Sequence, residues 1–170
     1  MFGGRAVAAF CFFLLFAIDT VSGGDECNGK IVIGAAESVY IPSAKMKMEA
    51  RIDTGATTTS IDARDIEVLE RDGKKWVKFI LVDREGNSTA EIEKRVVKIV
   101  PIKRHGMEDQ KRYAVKMKIM MGDKAQLVLV TLADRSRFDF PVLIGRNFLR
   151  GEYLVDVELE HSVKTADGKK

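Results

Sequence analysis

The chain has 170 residues, with 28 Lys+Arg against 25 Asp+Glu and a formal net charge of +3. That length suits one domain with a real core, and a 46% hydrophobic, 31% charged composition excludes disordered and fibrous classes. So small a net charge, spread over both signs, gives no case for nucleic-acid binding, and two cysteines cannot build a disulfide framework or a structural zinc site.

Arg5 is followed by an apolar stretch from Ala6 to Ile18 and then by the small residues Val21-Ser22-Gly23. A basic start, a short apolar centre and a small-residue exit predict a secretory signal peptide over residues 1–23. The run falls short of the about 20 apolar residues that a spanning helix needs, although an uncleaved anchor stays open. Cleavage near Gly23 leaves no membrane span and places the rest outside the cytoplasm. Cys11 then goes with the leader, and Cys27 is the one remaining thiol, either paired between molecules or free. The acidic approach Gly24-Asp25-Glu26 argues against a lipid-modified cysteine.

A two-residue period dominates the rest of the chain. Met46 to Ile52 alternates apolar and charged positions, as a half-buried strand does. Asp72-Gly73 turns into a second strand, Trp76 to Val82, and Val96 to Ile102 is a third. Val115 to Met121 alternates with lysines, and Gly122-Asp123 turns it into Ala125 to Leu132 as a hairpin. Tyr153 to Leu159 alternates again. Helical signals are confined to Asp62–Leu69 and Arg146–Leu149, each long enough for a turn. The methionines at 117, 120 and 121 read as core filler. The expectation is one all-β domain, a sandwich or small barrel, over residues 36–160, after an N-terminal segment 24–35 and before a polar, frayed tail 161–170.

Two segments can carry chemistry. Asp53-Thr54-Gly55-Ala56 places a carboxylate, a hydroxyl and a glycine where an alternating strand ends; alone, it also reads as an Asx turn. Pro141 to Leu149 is an apolar strand running through Gly145 into a short helix beginning Arg146-Asn147.

Together they resemble the retropepsin-like aspartic proteases, whose Asp-Thr/Ser-Gly-Ala strand end is followed later by an apolar-apolar-Gly-Arg/Asp-Asn/Asp segment. The closer likeness is to a bacterial branch historically called ATP-dependent zinc proteases. It is carried by Ala50 to Ala56, by Asp72-Gly73-Lys74-Lys75-Trp76-Val77-Lys78-Phe79, and by Thr131-Leu132-Ala133-Asp134-Arg135-Ser136. The stretch Arg104-His105-Gly106-Met107 departs from that branch's small-residue pattern, so no flap is assigned to residues 103–113.

The resemblance implies a closed retropepsin-like β-barrel with one or two short helices and an aspartic-type endopeptidase activity. It names Asp53 as catalytic, with Thr54, Gly55 and Ala56 forming the site and Gly145, Arg146 and Asn147 as a supporting loop. Arg146 equally reads as an ordinary helix-start residue. Aspartic proteolysis needs two carboxylates sharing a proton, because carboxylates about 3 Å apart cannot both ionise. The chain has a single Asp-Thr-Gly, which excludes a two-lobed single-chain protease and requires a homodimer. In the resembled family, Thr54 would bond across the twofold axis. The partner expected beyond a second copy is a peptide or protein substrate. No cofactor is expected: no Gly-x-x-x-x-Gly-Lys-Ser/Thr phosphate loop is present, and His105 and His161 lack partners at zinc-ligand spacing. The alternative is a catalytically inactive retropepsin-like binding module of the periplasm.

Overall fold

In a computed structural model, residues 26–27, 29–102 and 110–165 are described. The signal-peptide expectation over residues 1–23 lies outside them, as do positions 103–109, His105 included. Among the described residues no helix is long and apolar enough to cross a membrane.

The chain is built almost wholly of strands. They are β1 (Glu26–Cys27), β2 (Lys30–Ile33), β3 (Ala36–Ile41), β4 (Met46–Ile52), β5 (Thr59–Arg71) and β6 (Lys74–Leu81). After them come β7 (Ile92–Ile102), β8 (Gln110–Met121), β9 (Lys124–Ala133), β10 (Val142–Ile144), the helix α1 (Arg146–Leu149) and β11 (Tyr153–Val155). Eight strands run in the order β10-β4-β3-β8-β7-β6-β5-β9, and further β10–β5 and β8–β9 pairings join strands far apart in that order. The result is a closed all-β barrel, in which closure removes most free edges. A smaller sheet, β1-β2-β11, stands beside it.

Alternation places the core where it was expected. In β4, Met48, Ala50 and Ile52 are buried, and Lys47 and Arg51 are exposed. Phe79, Leu81, Ile61, Met117, Ile119 and Leu132 fill the barrel interior, each such side chain worth about 1.5–3 kcal/mol on burial. Of the three methionines, Met117 and Met121 are buried and Met120 is partly so.

Three stretches differ from the sequence reading. Asp62–Leu69 forms no helical turn but lies inside β5, where a bulge between Arg64 and Glu67 with Asp65 at φ 53° breaks the alternation. Strand β11 stops at Val155, and the chain then turns at Asp156, whose Oδ1 accepts the Glu158 N–H. The polar residues 161–165 are anchored, not loose.

That anchor is Glu37, a fully buried carboxylate in β3. It accepts the Gly34, Ser162 and Val163 backbone N–H groups and the Ser162 hydroxyl. Thr165 adds a bond to the Ser38 carbonyl and receives the Gly122 N–H. The backbone of residue 159 passes so near Gly34 that a Cβ there would lie 2.3 Å from the Leu159 oxygen. We expect Glu37→Ala to strand three N–H donors, two of them buried, and to lower stability by about 3 kcal/mol in urea denaturation; a change below about 1 kcal/mol would mean that the tail is held by other contacts.

Candidate active site

The site is made where three strands meet. Strand β10 pairs parallel with β4, with Ile144 opposite Ile52, and antiparallel with β5, with Val142 opposite Ile61. Asp53 follows directly on β4, and its N–H bonds the Ile144 carbonyl at 2.9 Å. Pairing thus brings the Asp53-Thr54-Gly55-Ala56 turn against Gly145 and α1, although about 90 residues separate them.

Asp53 is half-buried, and its Oδ1 accepts the N–H groups of Gly55 (2.8 Å) and Ala56 (3.0 Å). Among the described residues Oδ2 has no partner. An Asx turn shaped by one carboxylate oxygen is therefore present. Gly55 has no left-handed backbone here; its role is space, since a Cβ would stand 3.1 Å from Asp53 Oδ1.

Arg146 closes the loop from the other side. Its Nη1 donates to the Thr54 (2.9 Å) and Gly55 (2.6 Å) carbonyls, and its Nη2 to the Thr57 hydroxyl (2.9 Å). Its backbone N–H bonds the Ala56 carbonyl at 2.8 Å. It is also the first residue of α1. Asn147 ties the next layer: Oδ1 accepts the Thr59 N–H and hydroxyl, and Nδ2 donates to the Leu129 carbonyl. Thr59 Oγ1 in turn accepts the Gly145 N–H at 3.2 Å. Gly145 is forced by close approach, because a Cβ there would lie 2.8 Å from the Thr58 carbonyl carbon and 3.0 Å from the Ala56 oxygen.

The structure brings together every residue singled out in the sequence around this turn. Thr54 and Gly55 are exposed in the single chain. Thr57 and Thr59 went unremarked; the hydroxyl run Thr57-Thr58-Thr59-Ser60 was their signal. Asp62 and Arg135 were missed as well. Asp62 is buried in β5, and its Oδ1 accepts Arg64 Nε and the Arg135 N–H while Oδ2 accepts Arg64 Nη2. Arg135 is buried too; burial pulls its guanidinium below the ordinary arginine range, against the attraction of Asp62, with Arg112 lowering it further and Asp53 raising it. Asp134, in the run that resembles no second Asp-Thr-Gly, is exposed and bonded to the Ser136 N–H. The Ser136 bonds hold its carboxyl below the usual carboxylate value. His161 sits 3.4 Å from a Glu49 oxygen, and neither group is buried.

A closed β-barrel in which an Asp-Thr-Gly-Ala turn is locked against a Leu-Ile-Gly-Arg-Asn segment is the retropepsin-like class. A family model described as the retropepsin-like aspartic endopeptidase RimB matches residues 32–165, and the chain belongs to this RimB-like family. A Shewanella pealeana protein named "Probable alpha-L-glutamate ligase" is 33% identical over 132 residues, covering 76% of this chain and 29% of the relative. A Parasynechococcus marenigrum protein of the same name is 26% identical over 137 residues, covering 79% of this chain and 29% of its own length. The chain thus matches less than a third of these curated relatives. A crystal structure of a Legionella pneumophila protein of unknown function superposes with a TM-score of 0.65 at 28% identity, covering 78% of this chain and 98% of that one.

The lock between the two motifs is directly testable. Gly145→Ala must push Thr58 or α1 aside, and we expect a loss of about 1–3 kcal/mol by thermal or urea unfolding. A variant as stable as the parent would show that the contact is slack.

Proposed function

We propose that the chain is an aspartic-type endopeptidase whose active site is completed by a second copy of itself. The observation that carries this reading is the Asp53 turn: a carboxylate fixed at one oxygen and free at the other, on a loop clamped by Arg146. The exposure of Thr54 and Gly55 in one chain fits a face that a twofold mate covers. Family membership supports the reading as well.

In the proposed dimer the two Asp53 carboxylates share one proton and hold a water between them. The ionised carboxylate takes a proton from the water as its oxygen attacks the scissile carbonyl carbon. The protonated one gives its proton to the carbonyl oxygen, forming a tetrahedral diol. Collapse of that diol breaks the C–N bond as a proton passes to the leaving amine. The two titrations belong to the pair. A barrel of this kind does not by itself imply an activity, so this one turn bears the whole assignment.

Residues 1–23 support export to the periplasm or the exterior as part of the same proposal. Relatives named for α-L-glutamate ligation make glutamate-rich α-peptides the first substrates to try. We expect Asp53→Asn to lower peptide hydrolysis at least about a hundredfold, with the fold and the dimer retained in sedimentation. Hydrolysis unchanged in that variant would overturn the assignment, and a strictly monomeric parent would favour the non-catalytic binding module.

A further inference from the structure

We propose that the outward face of β7, β8 and β9 is a docking surface for an anionic phospholipid bilayer. The proposal is independent of the peptidase reading and concerns what the barrel rests on.

Charge is unevenly spread along this chain. Residues 94–118 contain nine Lys or Arg and two Asp or Glu, a net +7 within a chain whose total is +3. The remaining residues therefore sum to −4. So steep a segregation creates a local field that the small overall charge conceals.

Strand pairing gathers much of that charge on one face. In β8, Val115, Met117 and Ile119 point into the core, so Lys116 and Lys118 point outward, and both are exposed. Across β9 they lie opposite Leu129 and Leu127. On the other side Val96 pairs with Val115 and Lys98 with Ala114, which leaves Val97 as the extra residue of a bulge. The same register, carried one residue on, sets Arg95 opposite Lys116. Lys94, Arg95, Val96, Val97 and Lys116 line one cleft of about 470 Å³.

These cations are not neutralised within the barrel. Among the described residues the side chains of Lys94, Arg95, Lys98, Lys116 and Lys118 have no hydrogen-bond or ion-pair partner. The acids just before them in the sequence are occupied elsewhere, Glu91 by Lys78 at 2.9 Å and Glu93 by Arg71 at 3.1 Å.

Apolar groups are set among the cations. Val97 is 53% exposed and Leu127 65%. Lysine stems with aliphatic neighbours suit the level of lipid headgroups, where ammonium groups meet phosphate and methyl groups reach the acyl boundary. An acidic protein would need carboxylates matched to the spacing of these side chains. A fluid layer of phosphates needs no such match, and the cleft at the bulge receives one of them.

The test is vesicle co-sedimentation of residues 24–170, which hold every described element. The protein should pellet with vesicles of equimolar phosphatidylcholine and phosphatidylglycerol, stay in solution with phosphatidylcholine alone, and be released by added salt. Lys116→Gln combined with Lys118→Gln should lower the partition coefficient about tenfold to thirtyfold, with thermal unfolding unchanged. A charge-matched control, Lys30→Gln with Arg150→Gln on a separate cleft, should bind as the parent does. Equal binding to the two vesicle types, binding to neither, or equal loss in the two double variants would overturn the proposal. So would capture by poly-L-aspartate without capture by vesicles, which gives the face to an acidic polypeptide. Full displacement by inorganic phosphate at constant ionic strength would overturn it too, making the cleft a simple anion site.

Discussion

Everything at the site depends on β10 lying between β4 and β5. A strand of three residues, Val142 to Ile144, bonds a parallel neighbour on one side and an antiparallel neighbour on the other. That double pairing sets the end of β4 and the start of α1 back to back, so two distant turns share one small volume. Glycine at 145 is what lets them touch, since Thr58 and Ala56 occupy the space of any side chain. Arg146 then holds the Asp53 turn through backbone carbonyls, which any sequence in the turn would offer. The carboxylate owes its orientation to backbone N–H groups and to this clamp, both part of the barrel wall.

A second consequence concerns what one chain leaves undone. Asp53 keeps a free oxygen among the described residues, and the residues flanking it on the turn are exposed. Rigid positioning of an incomplete set of groups is a sensible design only if the missing group arrives equally well placed. In the dimer proposed above, twofold symmetry supplies that at no further sequence cost, because the mate carries the same clamp.

The barrel was legible because its strands have one wet and one dry face. Met46 to Ile52 and the Met121–Lys124 hairpin show it plainly. The Asp53 turn was legible for another reason, the unusual order of residue types from Asp53 to Ala56. What stayed hidden was held by polar contacts, which hydropathy cannot register. Strand β3 was not foreseen, since Glu37 sits buried among its apolar residues. The bulge at Asp65 disguised the longest strand as a helical turn. Residues 161–165 looked like a loose tail because their fixing partner, Glu37, lies more than a hundred positions away. The Thr59–Asn147 link, 88 residues long in sequence, was hidden in the same way.

The central claim is that catalysis belongs to two chains and not to one. Its most direct measurement is specific activity against protein concentration, read beside sedimentation on the same samples. A shared active site predicts that activity per chain falls on dilution in step with the dimer fraction and vanishes in the monomer. Constant activity per chain in a sample that sediments wholly as monomer would contradict it.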